Sequence, residues 1–105
     1  MSMKDNEVWI KAAELGFRRH GSDVFIVIKR YKRKPGYGIF EKIRGFNGFW
    51  KSRKLREVQD ILEAVVFLTT YTQGVWRLSE DEIMKAMKEQ GWFYEVDKLA
   101  GVEGW

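Results

Sequence analysis

Eleven Lys and Arg side chains lie between Lys29 and Arg56 with a single acid, Glu41, among them, so this stretch carries a net +10. Residues 1–28 sum to zero and residues 57–105 to −6, which leaves the whole chain at +4. Like charges crowded in this way repel one another and oppose folding, so the block is expected to meet an anion. The plain alternative is a solvated basic surface balanced by the acidic last third. Aromatic residues are threaded through the same block. Cations neutralise phosphates, and a ring gives an unstacked base a new surface worth ~1–3 kcal/mol per base. The pattern assigns phosphate contacts to Lys29, Arg30, Lys32, Arg33, Lys34, Lys42, Arg44, Lys51, Arg53, Lys54 and Arg56. It assigns base stacking to Tyr31, Phe40 and Trp50. Such contacts read no base edges, so slight sequence preference is expected.

Other chemistries have few residues to use. Cysteine is absent, which excludes disulfides, thiol catalysis and Cys-ligated metal centres. The one histidine, His20 before Gly21, is better placed to satisfy a helix carbonyl than to act as a catalyst. Glu80-Asp81-Glu82 suits the first turn of a helix better than a metal, because hard cations need converging oxygens. Asp23, Glu41 and Lys42 lack the further carboxylates of a two-metal nuclease. No catalytic residue, metal or cofactor is expected. No apolar run exceeds five residues, far short of a membrane span, and the first residues hold no apolar segment. The expectation is a cytoplasmic, soluble protein.

At 105 residues, one domain over 1–105 is the default. Trp9, Ala12, Ala13, Phe17 and His20 recur at steps of three and four and predict a helix over 6–20, capped by Asp5 or Asn6 and stopped by Gly21. Val24 to Ile28 is β-branched and aromatic and predicts a strand over 23–33. Lys34-Pro35-Gly36-Tyr37 fits a type II turn, residues 37–44 a return strand, and Asn47-Gly48 a hairpin leading into a short strand from Phe49 to Lys51. This basic β-meander covers 23–51. Ser52 is then expected to cap a central apolar helix over 53–72, with a stripe of Leu55, Val58, Ile61, Leu62, Val65, Leu68 and Thr69. Its basic first turn opposes its own dipole. Ser79 and Glu82 form a capping box for a helix over 80–90, burying Ile83, Met84 and Met87 and ended by Gly91. Trp92 to Val96 reads as a possible last strand, and 98–105 as a loose tail.

The expected fold is α+β: a curved antiparallel sheet of three to four strands against two to three helices, in the order α-β-β-β-α-α. Alternation sends Ile39 and Ile43 to the core and leaves Lys29, Tyr31, Arg33, Phe40, Lys42 and Arg44 on the outer face. Whether Phe46, Phe49 and Trp50 join the core or stay outside is open. This layout is similar to that of single-strand-binding proteins built on curved sheets, although no residue motif carries a family name. Ala12 to Phe17 resembles a helix-turn-helix recognition region only faintly, since no companion helix precedes it. The function expected is non-catalytic binding of nucleic acid, preferring single strands of DNA or RNA, with no membrane role. The rival is a small interaction or inhibitor protein of phage type, whose basic face covers an acidic protein partner. A homodimer through 61–71 is also expected, because that stretch is apolar nearly all round.

Overall fold

The computed structural model describes residues 6–11, 23–45, 48–70 and 78–103. Its sheet is antiparallel and open, with four strands in chain order: β1 (Glu7–Lys11), β2 (Asp23–Arg30), β3 (Tyr37–Arg44) and β4 (Trp50–Val58). Three helices follow, α1 (Ile61–Thr70), α2 (Glu80–Glu89) and α3 (Phe93–Glu103). The fold is therefore α+β, as the sequence implies, but the order is β-β-β-β-α-α-α.

The middle of the meander forms where its turn chemistry places it. β3 spans 37–44, and β2 stops at Arg30, so Tyr31 to Gly36 make the turn. Gly36 has φ +105°, the left-handed backbone that glycine tolerates best. A Cβ there would also lie 2.6 Å from the Val58 carbonyl oxygen, so the turn packs against the end of β4. At the next hairpin the Gly48 N–H donates to the Gly45 carbonyl and Gly48 has φ +88°.

Four expectations are corrected. Residues 7–11 are a strand, not the start of a helix: Val8 and Ile10 alternate into the core and pair with Ile28 and Ile26. The period of two lay in Val8-Trp9-Ile10, and the spacing of Trp9 from Ala12 and Ala13 concealed it. The rest of that helix, with His20 and the caps at Asp5 and Gly21, falls outside the described residues. The short third strand is nine residues long, and Ser52 pairs with Lys42 instead of capping a helix. The basic residues Arg53, Lys54 and Arg56 thus lie on a strand and oppose no helix dipole. A bulge explains the misreading. Ile39 pairs with Arg56 and Phe40 with Lys54, which leaves Leu55 extra. The inserted residue flips the phase of the strand, so Leu55 and Val58 both turn to the core at a spacing of three that imitates a helix. The helix itself starts at Ile61. Asp60 Oδ1 accepts from the Glu63 N–H and Glu63 Oε1 accepts from the Asp60 N–H, a reciprocal cap. Lastly, Phe93–Glu103 is helical, so the proposed last strand and most of the loose tail are α3.

α2 carries its expected capping box, with the Ser79 hydroxyl accepting from Glu82 and the Glu82 carboxylate from Ser79. It closes through Gly91, φ +88°, with Trp92 N–H donating to Met87 and Gly91 N–H to Lys88, a Schellman arrangement. All three helices pack on one face of the sheet. Val8, Ile10, Ile26, Ile28, Ile39 and Val58 meet Ile61, Leu68, Ile83, Met87, Trp92 and Leu99 there. α1 buries Ile61, Ala64, Val65 and Leu68 within this core and leaves Leu62 and Val66 exposed; Tyr71 lies outside the described residues. No described helix is long and apolar enough to cross a membrane.

Candidate functional site

The sheet face away from the helices gathers rings and cations. The register puts Trp9, Phe25, Lys29, Phe40, Lys42, Arg44, Trp50 and Lys54 on it. Trp9 and Trp50 start on opposite edge strands, yet their rings meet edge to face at 5.6 Å. Phe25 closes the group at 5.5 Å from Trp9 and 6.0 Å from Trp50. The Lys42 ammonium stands 5.3 Å from the Trp9 ring, and the Arg44 guanidinium 5.7 Å from Trp50. These distances lie in the range of aromatic and cation–π attraction. Trp50 remains 47 % exposed and Phe49 beside it 74 %. Both loop rings are therefore outside the core, and Phe46 falls outside the described residues.

Backbone contacts fix this cluster. β1 is an edge strand, and the Gln90 carboxamide satisfies its free edge at Trp9. Oε1 accepts from the Trp9 N–H at 2.9 Å and Nε2 donates to the Trp9 carbonyl at 2.7 Å. The Trp9 indole N–H donates to Glu7. On the other edge, β4 carries Lys51, Arg53, Lys54 and Arg56, charges that also guard an exposed strand against pairing with a second chain.

At the far end of the face, Tyr31 lies across Gly38. A Cβ on Gly38 would be 2.3 Å from the Tyr31 hydroxyl, so glycine makes room for the ring. Tyr31 Oη donates to Glu57 at 3.2 Å, and Lys34 stands 4.6 Å from the ring and 3.5 Å from Glu57. Lys54 also bonds Glu57. That hydrogen bond holds the Glu57 carboxyl below its ordinary range and raises Lys54 above its own. Asn6, Lys29, Tyr31, Lys32, Arg33 and Lys34 line a cleft of about 560 Å³ beside this turn.

Alternation thus divides the residues that the sequence singled out. Lys29, Phe40, Lys42, Arg44, Trp50 and Lys54 share the open face, with Tyr31 reaching over it and Lys32, Arg33 and Lys34 in the turn. Arg30, Lys51, Arg53 and Arg56 sit on the helix side. Arg30 pairs with Glu95 at 2.9 Å and lies over Trp92, Arg53 pairs with Glu41 at 3.1 Å, and Arg56 lies over Phe67. Two residues of the ring cluster are not among the stacking rings that the sequence points to. The spacing of Trp9 places it on a helix face, and Phe25 stands in a run of Val and Ile that reads as strand. The alternation through Val8-Trp9-Ile10 was the signal for the first. Among the described residues no group of three or more His, Asp or Glu is placed to hold a metal. No protein-family model, curated protein or solved structure matches this chain.

Proposed function

We propose that the open face of the sheet binds single-stranded nucleic acid, without catalysis and with little sequence preference. The observation that carries this reading is the Trp9–Phe25–Trp50 cluster, flanked by Lys42 and Arg44 on the sheet face away from the three described helices. A solvated basic surface has no need of three converging large rings, whereas a strand whose bases are free uses both groups. The rings take up bases at ~1–3 kcal/mol each, and the cations replace counterions along the backbone. A duplex hides its base faces and offers only phosphates.

A titration of labelled single and double strands at two salt concentrations tests this. Single strands bind more tightly than duplex, and log K falls with log salt at ~0.7 per phosphate contact. Equal or tighter duplex binding counts against a stacking face. Failure of both nucleic acids, with one acidic protein captured stoichiometrically instead, replaces this reading with the protein-partner one.

A further inference from the structure

The cleft at the β2–β3 turn is chemically unlike the rest of the open face. Its lining holds four cations, Lys29, Lys32, Arg33 and Lys34, with the amide of Asn6 and the phenol of Tyr31, and, among the described residues, no acid. Lys34 shares Glu57 with Lys54 and Tyr31. Lys29, Lys32 and Arg33 have no acidic partner among the described residues. Glu7, opposite Lys29 in the register, accepts from the Trp9 indole instead.

The turn is also held in shape. Gly36 seats it against Val58, and Tyr31 N–H donates to the Gly36 carbonyl at 3.2 Å. Asn6 ties its base, since the Arg30 N–H donates to the Asn6 carbonyl at 2.7 Å and the Asn6 amide donates to the Arg30 carbonyl. Beneath it, Glu95 accepts from both Arg30 and Tyr37, the cross-strand pair that brackets the turn. The cationic rim is therefore presented on a fixed base, and a prearranged site binds at lower ordering cost than a floppy one.

Charge selects the ligand. An internal phosphodiester carries one negative charge, whereas a phosphomonoester carries about −1.5 to −2 at pH 7 and has an additional acceptor oxygen. Four cations lining one open cleft suit the second better, and the cleft has room for a phosphate with its sugar. The rings lie about six residues away along β2, near Phe25, or ~20 Å at the rise of a strand. A strand lying along the sheet therefore reaches both places.

We propose that this cleft takes a terminal phosphomonoester, so that the protein holds a single strand by its phosphorylated end and stacks the following bases on the Trp9–Phe25–Trp50 cluster. The proposal rests on the single-strand reading of the same face. The shared chemistry also admits a free nucleoside monophosphate.

Fluorescence anisotropy of one short oligonucleotide, made with a 5′-phosphate, a 3′-phosphate or hydroxyls at both ends, tests it. One phosphorylated form binds at least fivefold more tightly than the hydroxyl form. The double variant K32A/R33A binds the phosphorylated and hydroxyl forms equally, and an unchanged circular dichroism spectrum and urea midpoint show that it remains folded. A nucleoside monophosphate that binds the wild type as tightly as the phosphorylated oligonucleotide, and fails on the variant, supports the cleft and assigns it to free nucleotide. Equal binding of all three oligonucleotides overturns the cleft and leaves the single-strand reading standing. Binding of none overturns both.

Discussion

Two glutamates bracket the same turn from opposite faces of the sheet and show what each face does with charge. Glu95, 1 % exposed on α3, accepts from Arg30 at 2.9 Å and from the Tyr37 hydroxyl at 3.0 Å, and its other oxygen has no hydrogen-bond partner among the described residues. Glu57, on the open face, is shared by Lys34, Lys54 and Tyr31 in solvent. The first arrangement is costly to break, because desolvated groups cannot fall back on water. The second is held weakly, because water and salt compete for every partner. Lys29 and Arg30 are neighbours in sequence, yet only Arg30 is engaged by the core. On the helix face Arg30, Arg53 and Arg56 are engaged by Glu95, Glu41 and Phe67, whereas on the open face Lys29 has no acidic partner among the described residues.

Tryptophans sharpen that contrast most. Trp92 is 1 % exposed under Arg30 and beside Tyr37, so Trp92→Ala opens a large cavity and lowers stability by ~3–5 kcal/mol. Trp50→Ala removes a half-exposed ring and lowers stability by about 1 kcal/mol, the value of its ring contacts. It weakens single-strand binding by ~1–3 kcal/mol with the salt slope unchanged, since stacking releases no counterions. Urea unfolding and binding titrations on both variants separate the two losses. If Trp50→Ala unfolds the protein as readily as Trp92→Ala, the open face is a second core and the contrast collapses.

Alkali probes the buried glutamate. Burial, followed by the Glu95 charge and its hydrogen bond, pushes the Tyr37 phenol up to about 12 from its ordinary 10. Its folded pKa lies above the unfolded one, so its contribution is complete below pH 10 and is lost as the pH rises towards 12. The unfolded chain releases the proton in that window while the folded one retains it. A two-unit shift corresponds to about 2–3 kcal/mol. Urea midpoints across pH 9–12 therefore fall more steeply in the wild type than in Tyr37→Phe, which has no phenol to ionise. Parallel pH profiles for the two proteins would remove Tyr37 from the buried network.

The parts of this molecule that were legible in sequence are those whose signals are local. β2 and β3 carry runs of Val and Ile around Pro35-Gly36, and α2 carries its cap and stop at Ser79, Glu82 and Gly91. β4 was illegible because Lys, Arg and Leu are good helix formers and the strand exists only through pairing with β3; the bulge at Leu55 then gave it a helical spacing. The basic half of the candidate site could be named because charge is additive along a chain. The ring cluster could not, because Trp9, Phe25 and Trp50 converge from three strands, and only the register brings them together. The division of the cations between the two faces likewise follows from the phase of β4.

The smallest effect on the fold comes from the other glutamate, and its direction for binding is the reverse. Glu57→Gln removes the only carboxylate among the described residues that Lys34 and Lys54 contact, at a place where all three side chains are about half exposed. Pairs of this kind contribute little to stability, so the urea midpoint stays where it is. Removing the carboxylate leaves Lys34 and Lys54 without that competitor for phosphate. Single-strand binding tightens at low salt, and the slope of log K against log salt steepens by ~0.7 for each added contact. Titrations at two or more salt concentrations read this directly. An unchanged or weakened affinity in Glu57→Gln means that Glu57 positions Lys34, Lys54 and Tyr31 for the ligand rather than restraining them. The open face would then depend on a fixed ion-pair network as the helix face does, and the difference between the two glutamates would be one of solvent exposure alone.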